Sequence, residues 1–173
     1  VIHGSEVNLR HLFFRFITDC SLKRFHRVIA VSRYTQSLVA HLGLKAVTVI
    51  PNAMDPHDWD LNAKAPKDLK GFPKLLTVGR LSDRKGQLEV IKHLPKLITV
   101  YRELHYHCVG IAAEGARFMA IAELLGVASH VTFHGPKTQA ELKAFYQACD
   151  VFVMLSRPTE SGDVEGFGIA ILE

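Results

Sequence analysis

The chain has 173 residues, 48% of them hydrophobic, which is enough apolar material for a folded core. No apolar run approaches the ~20 residues of a membrane-spanning helix, and no secretory-signal pattern opens the chain. The net charge of +4 is uneven: residues 1–50 carry seven Lys/Arg against Glu6 and Asp19, a net of +5, and the remainder a net of −1. A nucleic-acid coat would spread its basic residues more widely. Cys20, Cys108 and Cys149 are few, odd in number and set among apolar neighbours. They predict buried thiols in a reducing cytosol, not a disulfide framework.

The chain starts at Val1 without a Met and stops in what reads as an unfinished helix, so it is expected to be a piece of a longer protein. Between residues 8 and 25, Leu9, Leu12, Phe13, Phe16, Ile17 and Cys20 repeat with helical spacing and form one apolar stripe. Arg10, Arg15, Lys23 and Arg24 lie mostly off it. Such a helix either packs on its own sheet or touches an anionic membrane from the cytoplasmic side.

Val28–Val31 predicts a strand, Ser32 an N-cap, and 34–42 a helix closed by Gly43. Val47–Ile50 is the next strand, stopped by Pro51-Asn52. A polar stretch with Pro56, Pro66 and Gly71 then reads as a linker over 56–72. After it the pattern restarts. Lys74–Val78 is a strand, followed by a helix from Gln87 that is interrupted or restarted at Pro95. His105–Val109 is a strand, 114–125 a helix and Val131–Phe133 a strand. Thr138-x-x-Glu141 is a capping box opening a helix to Ala148, and Val151–Met154 is a buried strand. Strands alternating with helices define an α/β protein with parallel sheets. The expected division is 1–55, the linker, and 73–173. His105 and His107 share one strand face, where two imidazoles can reach a metal; with no third ligand in view, packing roles are expected.

Two loops carry chemistry. Gly79-Arg-Leu-Ser-Asp-Arg-Lys-Gly86 follows a strand and opens a helix, where α/β folds bind ligands. It is not a Walker loop, since Lys85 precedes Gly86 instead of following it, and no GxGxxG fingerprint exists. Arg80, Arg84 and Lys85 near a helix start suit a diphosphate, or a solvated basic turn. The second loop is Gly162-Asp-Val-Glu-Gly-Phe-Gly168, leading to Glu173. Gly166 and Gly168 let backbone approach a ligand, and a helix starting near Phe167 would offer free N–H groups. Glu165 and Glu173 stand eight residues apart, on the order of 9 Å or more along such a helix, and each carboxylate can accept from two vicinal hydroxyls.

EGFGIAILE, preceded by GRLSDRKG and by VIAVSRYT and VTVIPNAMD, resembles the family 4 retaining glycosyltransferases (glycosyl transferases group 1). The resemblance runs over nearly the whole chain. It implies the GT-B fold: two Rossmann-like domains with a nucleotide-sugar donor between them, here truncated at both ends. It implies that Arg80 and Lys85 neutralise the donor diphosphate. Glu165 and the amides of Gly166, Phe167 and Gly168, with Ile169, would hold donor sugar and phosphate. Glu173 would bind the ribose, and His3 of the HGSE stretch would face the reacting sugar. The catalytic set implied is therefore Glu165, His3, Arg80 and Lys85. Transfer would retain the anomeric configuration and need no metal or cofactor. The acceptor would be a glycan, a lipid-linked sugar or a small molecule, and the location cytoplasmic, with peripheral contact at the membrane's inner face through residues 8–25. Two other readings stay open: a non-catalytic, truncated nucleotide-sugar-binding paralogue, and a nucleotide-sugar 2-epimerase on the same fold.

Overall fold

A computed structural model describes residues 1–59, 69–160 and 162–173. The chain divides into two units, each described separately. One comprises 1–54 with 156–172, the other 55–155 with Glu173. The sequence division assigned 156–172 to the second domain, whereas here this segment packs within the first unit. Most of the expected linker, 60–68, lies outside the described residues.

In the first unit, α1 (Leu12–Leu22) precedes β1 (Val28–Ala30), α2 (Arg33–Leu38) and β2 (Val47–Val49). β1 and β2 pair in parallel, and Ile2 bridges to Ala30 on the other side of β1. Ile2, Val7, Leu22, Val28, Ala30 and Val39 form a core. The predicted helix over 34–42 is α2 followed by a 3-10 turn at Ala40–Leu42, closed by left-handed Gly43. The apolar stripe of α1 is not buried by the described residues. Leu12 is 81% and Phe16 66% exposed, and Leu22, off the stripe, is the helix residue that reaches the core. Cys20 is exposed, contrary to the expected buried thiol, because it lies on that uncovered stripe.

The second unit is a four-stranded parallel sheet in the order β5-β4-β3-β6, built from β3 (Lys74–Val78), β4 (His105–Val109), β5 (Val131–Phe133) and β6 (Val151–Phe152). Its helices are α3 (Gln87–Ile98), α4 (Gly115–Leu124) and α5 (Gln139–Ala148). The inner strands β3 and β4 are buried on both faces, as continuous apolar runs in parallel sheets are. One face carries Leu75, Tyr106 and Cys108 with Leu88, Ile91, Leu94 and Phe118. The other carries Leu76, Val109 and Phe145. Burial pushes the Cys108 thiol up to about 12 and makes it a packing group.

α3 runs unbroken through Pro95, where the sequence suggested an interruption. The proline forfeits one backbone bond near the helix end, while Leu88, Ile91 and Leu94 are anchored in the core. β6 is shorter than predicted and its Val151 is exposed, since among the described strands β6 pairs with β3 alone and stands at the sheet edge. The capping box forms as read: Thr138 Oγ1 accepts from Glu141 N, and the Glu141 carboxylate accepts from Thr138 N at 2.9 Å. No described helix is long and apolar enough to cross a membrane.

Candidate functional site

Strand order places the candidate ligand-binding loop of the second unit. The chain moves from β3 outward through β4 and β5, then returns to the opposite side of β3 with β6. That reversal is the switch point at which open parallel sheets bind ligands, beyond the carboxyl ends of the strands. Here it falls between β3 and β6. The Gly79–Gly86 loop leaves β3 at this point, and Gly86 lies directly on Leu155, the third residue after β6. Gly86 has φ +79°, and a Cβ there would overlap the Leu155 carbonyl, so only glycine fits. Gln87, fully buried, braces the loop: its Nε2 donates to Arg80 O at 3.1 Å, and its Oε1 accepts from Ser82 N at 3.4 Å. Lys85 folds back over Gly79, whose missing Cβ would stand 3.2 Å from Lys85 Cε and 3.6 Å from Nζ. Arg80 is exposed at the same strand end. Asp83 is drawn away by Arg117, at 2.7 Å, which also holds Glu114 at 2.8 Å. Arg80 and Lys85 are thus grouped at the β3 terminus.

A separate cluster is built in the first unit, where the HGSE turn and the GDVEGFG loop are zipped together. Glu6 accepts from the amides of His3 and of Gly4, folding the turn. Ser5 Oγ donates to Asp163, and Asn8 Nδ2 donates to Gly162 O at 2.8 Å. Gly166 packs flat on His3: an ideal Cβ on Gly166 would overlap the His3 carbonyl oxygen and lie 2.8 Å from its carbon. Ser32 has two roles. Its Oγ accepts from Thr35 N at 3.0 Å as the expected N-cap, and donates to Gly166 O at 2.6 Å. Thr35, fully buried, lies with its Oγ1 3.4 Å from the same carbonyl.

α6 (Ile169–Leu172) starts two residues later than predicted. The Gly168 N–H, expected to be open to a ligand, donates to Glu165 Oε1 at 3.2 Å. Gly168 itself has φ +79°. Ile169 is 40% exposed. Glu173 lies in the second unit, where its Oε2 accepts from Tyr146 O–H at 3.0 Å. The structure therefore brings His3 together with the 165–168 loop in one unit, and Arg80 with Lys85 in the other, where Glu173 also packs.

His105 and His107 do share a face, and they stack with His134 from beyond β5: ring centroids are 4.6 Å apart for His105–His107 and 5.2 Å for His107–His134. His107 Nε2 donates to Lys70 O at 3.0 Å, which leaves its Nδ1 to accept from His134 Nε2, also at 3.0 Å. His105 Nε2 pairs with Thr132 Oγ1 at 2.8 Å. Burial, then the neighbouring imidazoles, pushes His105 down to about 4. Burial and His107 do the same to His134, and burial also lowers His107. Among the described residues no group of three or more His, Cys, Asp or Glu side chains is arranged to hold a metal. A D-x-D triplet does occur at Asp58-Trp59-Asp60, and Asp60 lies outside the described residues.

Sequence reasoning missed the supporting polar groups. Asn8 and Gln87 carry no motif of their own, and nothing in VIAVSRYT singles out Thr35; only the fold shows what they hold. Ser156, by contrast, holds nothing: its buried Oγ has no hydrogen-bond partner among the described residues.

Residues 60–173 match the family model described as glycosyl transferases group 1, and the chain belongs to that family. Its fold is of the GT-B type. Over 184 residues it is 34% identical to a GDP-mannose-dependent alpha-(1-6)-phosphatidylinositol monomannoside mannosyltransferase of Mycolicibacterium smegmatis, covering 99% of this chain and 47% of that one. It is 23% identical to the amylovoran biosynthesis glycosyltransferase AmsK of Erwinia amylovora, covering 100% of this chain and 43% of the relative. Among solved structures, Anabaena HepE in complex with UDP and glucose superposes with a TM-score of 0.71 at 22% identity, over 98% of this chain and 48% of HepE. TarM superposes at 0.75 and 14% identity, over 99% of this chain and 33% of TarM. The chain spans about half the length of the curated relatives it matches.

Proposed function

We propose that the protein containing this chain transfers a sugar from a nucleotide-diphosphate donor to an acceptor hydroxyl, with retention at the anomeric carbon. The observation that carries the reading is the seating of Gly166 on the His3 carbonyl, with Ser32 and Thr35 fastened to Gly166 O. A loop held this closely by backbone can present a carboxylate, Glu165, in one fixed place. In this reading Glu165 and the Gly166–Ile169 backbone receive the donor sugar, with His3 facing it. Arg80 and Lys85 receive the diphosphate, and Glu173 the ribose. As the anomeric carbon–oxygen bond breaks, its electron pair passes to the diphosphate. Two cations fixed at a strand end stabilise that growing charge, which is the electrostatic contribution that usually dominates. The acceptor oxygen bonds to the anomeric carbon from the face the phosphate leaves, and its proton passes to the departing phosphate oxygen. No step calls for a metal.

GDP-mannose is the first donor to test, because the mycobacterial relative is named for it. A lipid-linked glycan is the first acceptor, for the same reason, and a cytoplasmic, membrane-peripheral location follows from it. The full-length protein is incubated with GDP-mannose or UDP-glucose, with and without a phosphatidylinositol mannoside acceptor. Nucleotide release is followed, and the product's anomeric configuration is read by NMR. Acceptor-dependent release with an α-linked product is expected. An inverted product overturns retention, sugar conversion without acceptor shows an epimerase, and binding without turnover shows a non-catalytic paralogue.

A further inference from the structure

Tyr146 sits on α5, where no motif singles it out. Its ring is held from two sides, edge-on to Trp59 with centroids 5.5 Å apart and tilted against Phe152 at 5.5 Å. A tyrosine has two side-chain torsions, and two aromatic walls fix both. The hydroxyl at the end of this wedge donates to Glu173 Oε2 at 3.0 Å. Burial, followed by the charge of Glu173, raises the phenol well above its ordinary range. It is therefore a permanent donor at any working pH.

We infer that Tyr146 is a positioning residue, aiming the Glu173 carboxylate at the vicinal hydroxyls of the donor ribose. The inference rests on the assignment of Glu173 to the ribose made above. The chemistry of the carboxylate supports it. An ionised carboxylate has about four acceptor sites, so one phenol bond to Oε2 leaves Oε1 and more for two vicinal hydroxyls. A glutamate side chain just past a short helix otherwise samples many rotamers, and ordering it on binding weakens affinity. A bond from a rigid phenol removes that freedom before the nucleotide arrives. Trp59 extends the support to the start of the chain segment entering the second unit, and Lys143 Nζ covers its ring at 5.9 Å.

The test uses the full-length protein, with nucleotide affinity measured by calorimetry. The probes are GDP, UDP and their 2′,3′-dideoxy forms, and the variants are Tyr146→Phe and Glu173→Ala. Phenylalanine keeps the ring between Trp59 and Phe152 and removes the O–H alone. Tyr146→Phe is expected to weaken the better-bound ribonucleotide about three- to tenfold and to leave the dideoxy form unchanged. Glu173→Ala is expected to give the same pattern with a larger loss, and donor KM should rise in both variants with kcat within about twofold. Equal weakening of both nucleotide forms by Tyr146→Phe, or none, overturns the positioning role while Glu173→Ala still discriminates between them. If Glu173→Ala fails to discriminate, the ribose assignment itself falls and the inference with it. Failure of the wild-type protein to bind either nucleotide overturns the donor-binding reading as a whole.

Discussion

Gly166 and His3, 163 positions apart in sequence, are in backbone contact: a methyl group on Gly166 would lie 2.8 Å from the His3 carbonyl carbon and overlap its oxygen. Both partners are main chain, so neither can yield by changing rotamer. Gly166→Ala must displace one loop from the other, an overpacking cost of about 1–3 kcal/mol. The expected result is a fall of at least tenfold in kcat/KM in the full-length protein. Ser32→Ala, which frees Gly166 O from one donor without a clash, should cost less. Near-normal kinetics for Gly166→Ala would show that the contact does not hold the reactive loop.

Arg80 and Lys85 are predicted to act on the leaving diphosphate. Replacing either by Ala should lower kcat/KM at least tenfold, equivalent to about 1.4 kcal/mol of transition-state stabilisation. Arg84→Ala, four residues from Arg80 and adjacent to Lys85, is the control expected to stay within about threefold. Steady-state kinetics of the three variants decide the matter: equal effects would point to general loop damage and not to a diphosphate site.

The buried imidazoles make stability depend on pH. His105 and His134 are held down at about 4, against an ordinary value of 6.5. Lowered bases bind fewer protons in the folded than in the unfolded chain throughout that interval. Their neutral forms are therefore fully accommodated above about 6.5, and stability is lost as pH falls toward 4. The groups facing them are Lys70, His107, His130 and Lys137, none of which is a carboxylate that would welcome a proton. Melting temperature should decline steadily from pH 7 to pH 4.5. His134→Gln, which keeps a hydrogen-bonding side chain but cannot titrate, should flatten the decline. A flat profile in the unsubstituted protein would contradict the neutral stack.

Much of this was legible in the residues because the signals are local. β-branched runs ended by glycine gave the strands, Thr138 and Glu141 gave a cap, and the strand-end loops carried the charged groups. Strand order is not local. β6 lies beside β3, and nothing in Val151–Phe152 announces that neighbour, so the switch point under Gly86 emerges only from the fold. The reach of 156–172 into the first unit is also invisible, since it depends on Asn8, Ser5 and Ser32 meeting backbone groups more than 130 residues away. Periodicity identified the stripe of α1 but could not say whether anything covers it. It also overestimated the start of α6, because Glu165 takes the Gly168 amide that a free helix end would have offered.

That stripe motivates the last prediction. Leu12, Phe13, Phe16 and Ile17 are 81%, 61%, 66% and 45% exposed, and Phe14 and Phe25 add 56% and 64%. Arg10, Lys23, Arg24 and Arg27 flank the helix in sequence, Arg15 lies within it, and Asp19 is the single acid in the helix. An exposed aromatic helix flanked by cations matches the interfacial region of an anionic bilayer, where apolar burial and headgroup attraction act together. Full-length protein should sediment with vesicles of mixed phosphatidylcholine and phosphatidylglycerol. It should be released in part at high salt, because the Debye length shrinks to about 3 Å at 1 M while apolar contact persists. Phe13→Ser with Phe16→Ser should abolish sedimentation at every salt concentration, whereas Arg15→Gln with Lys23→Gln should weaken it at low salt alone. If wild-type protein ignores both anionic and neutral vesicles, and the double serine variant instead lowers the melting temperature, the stripe is covered by another part of the protein, and membrane contact through α1 is excluded.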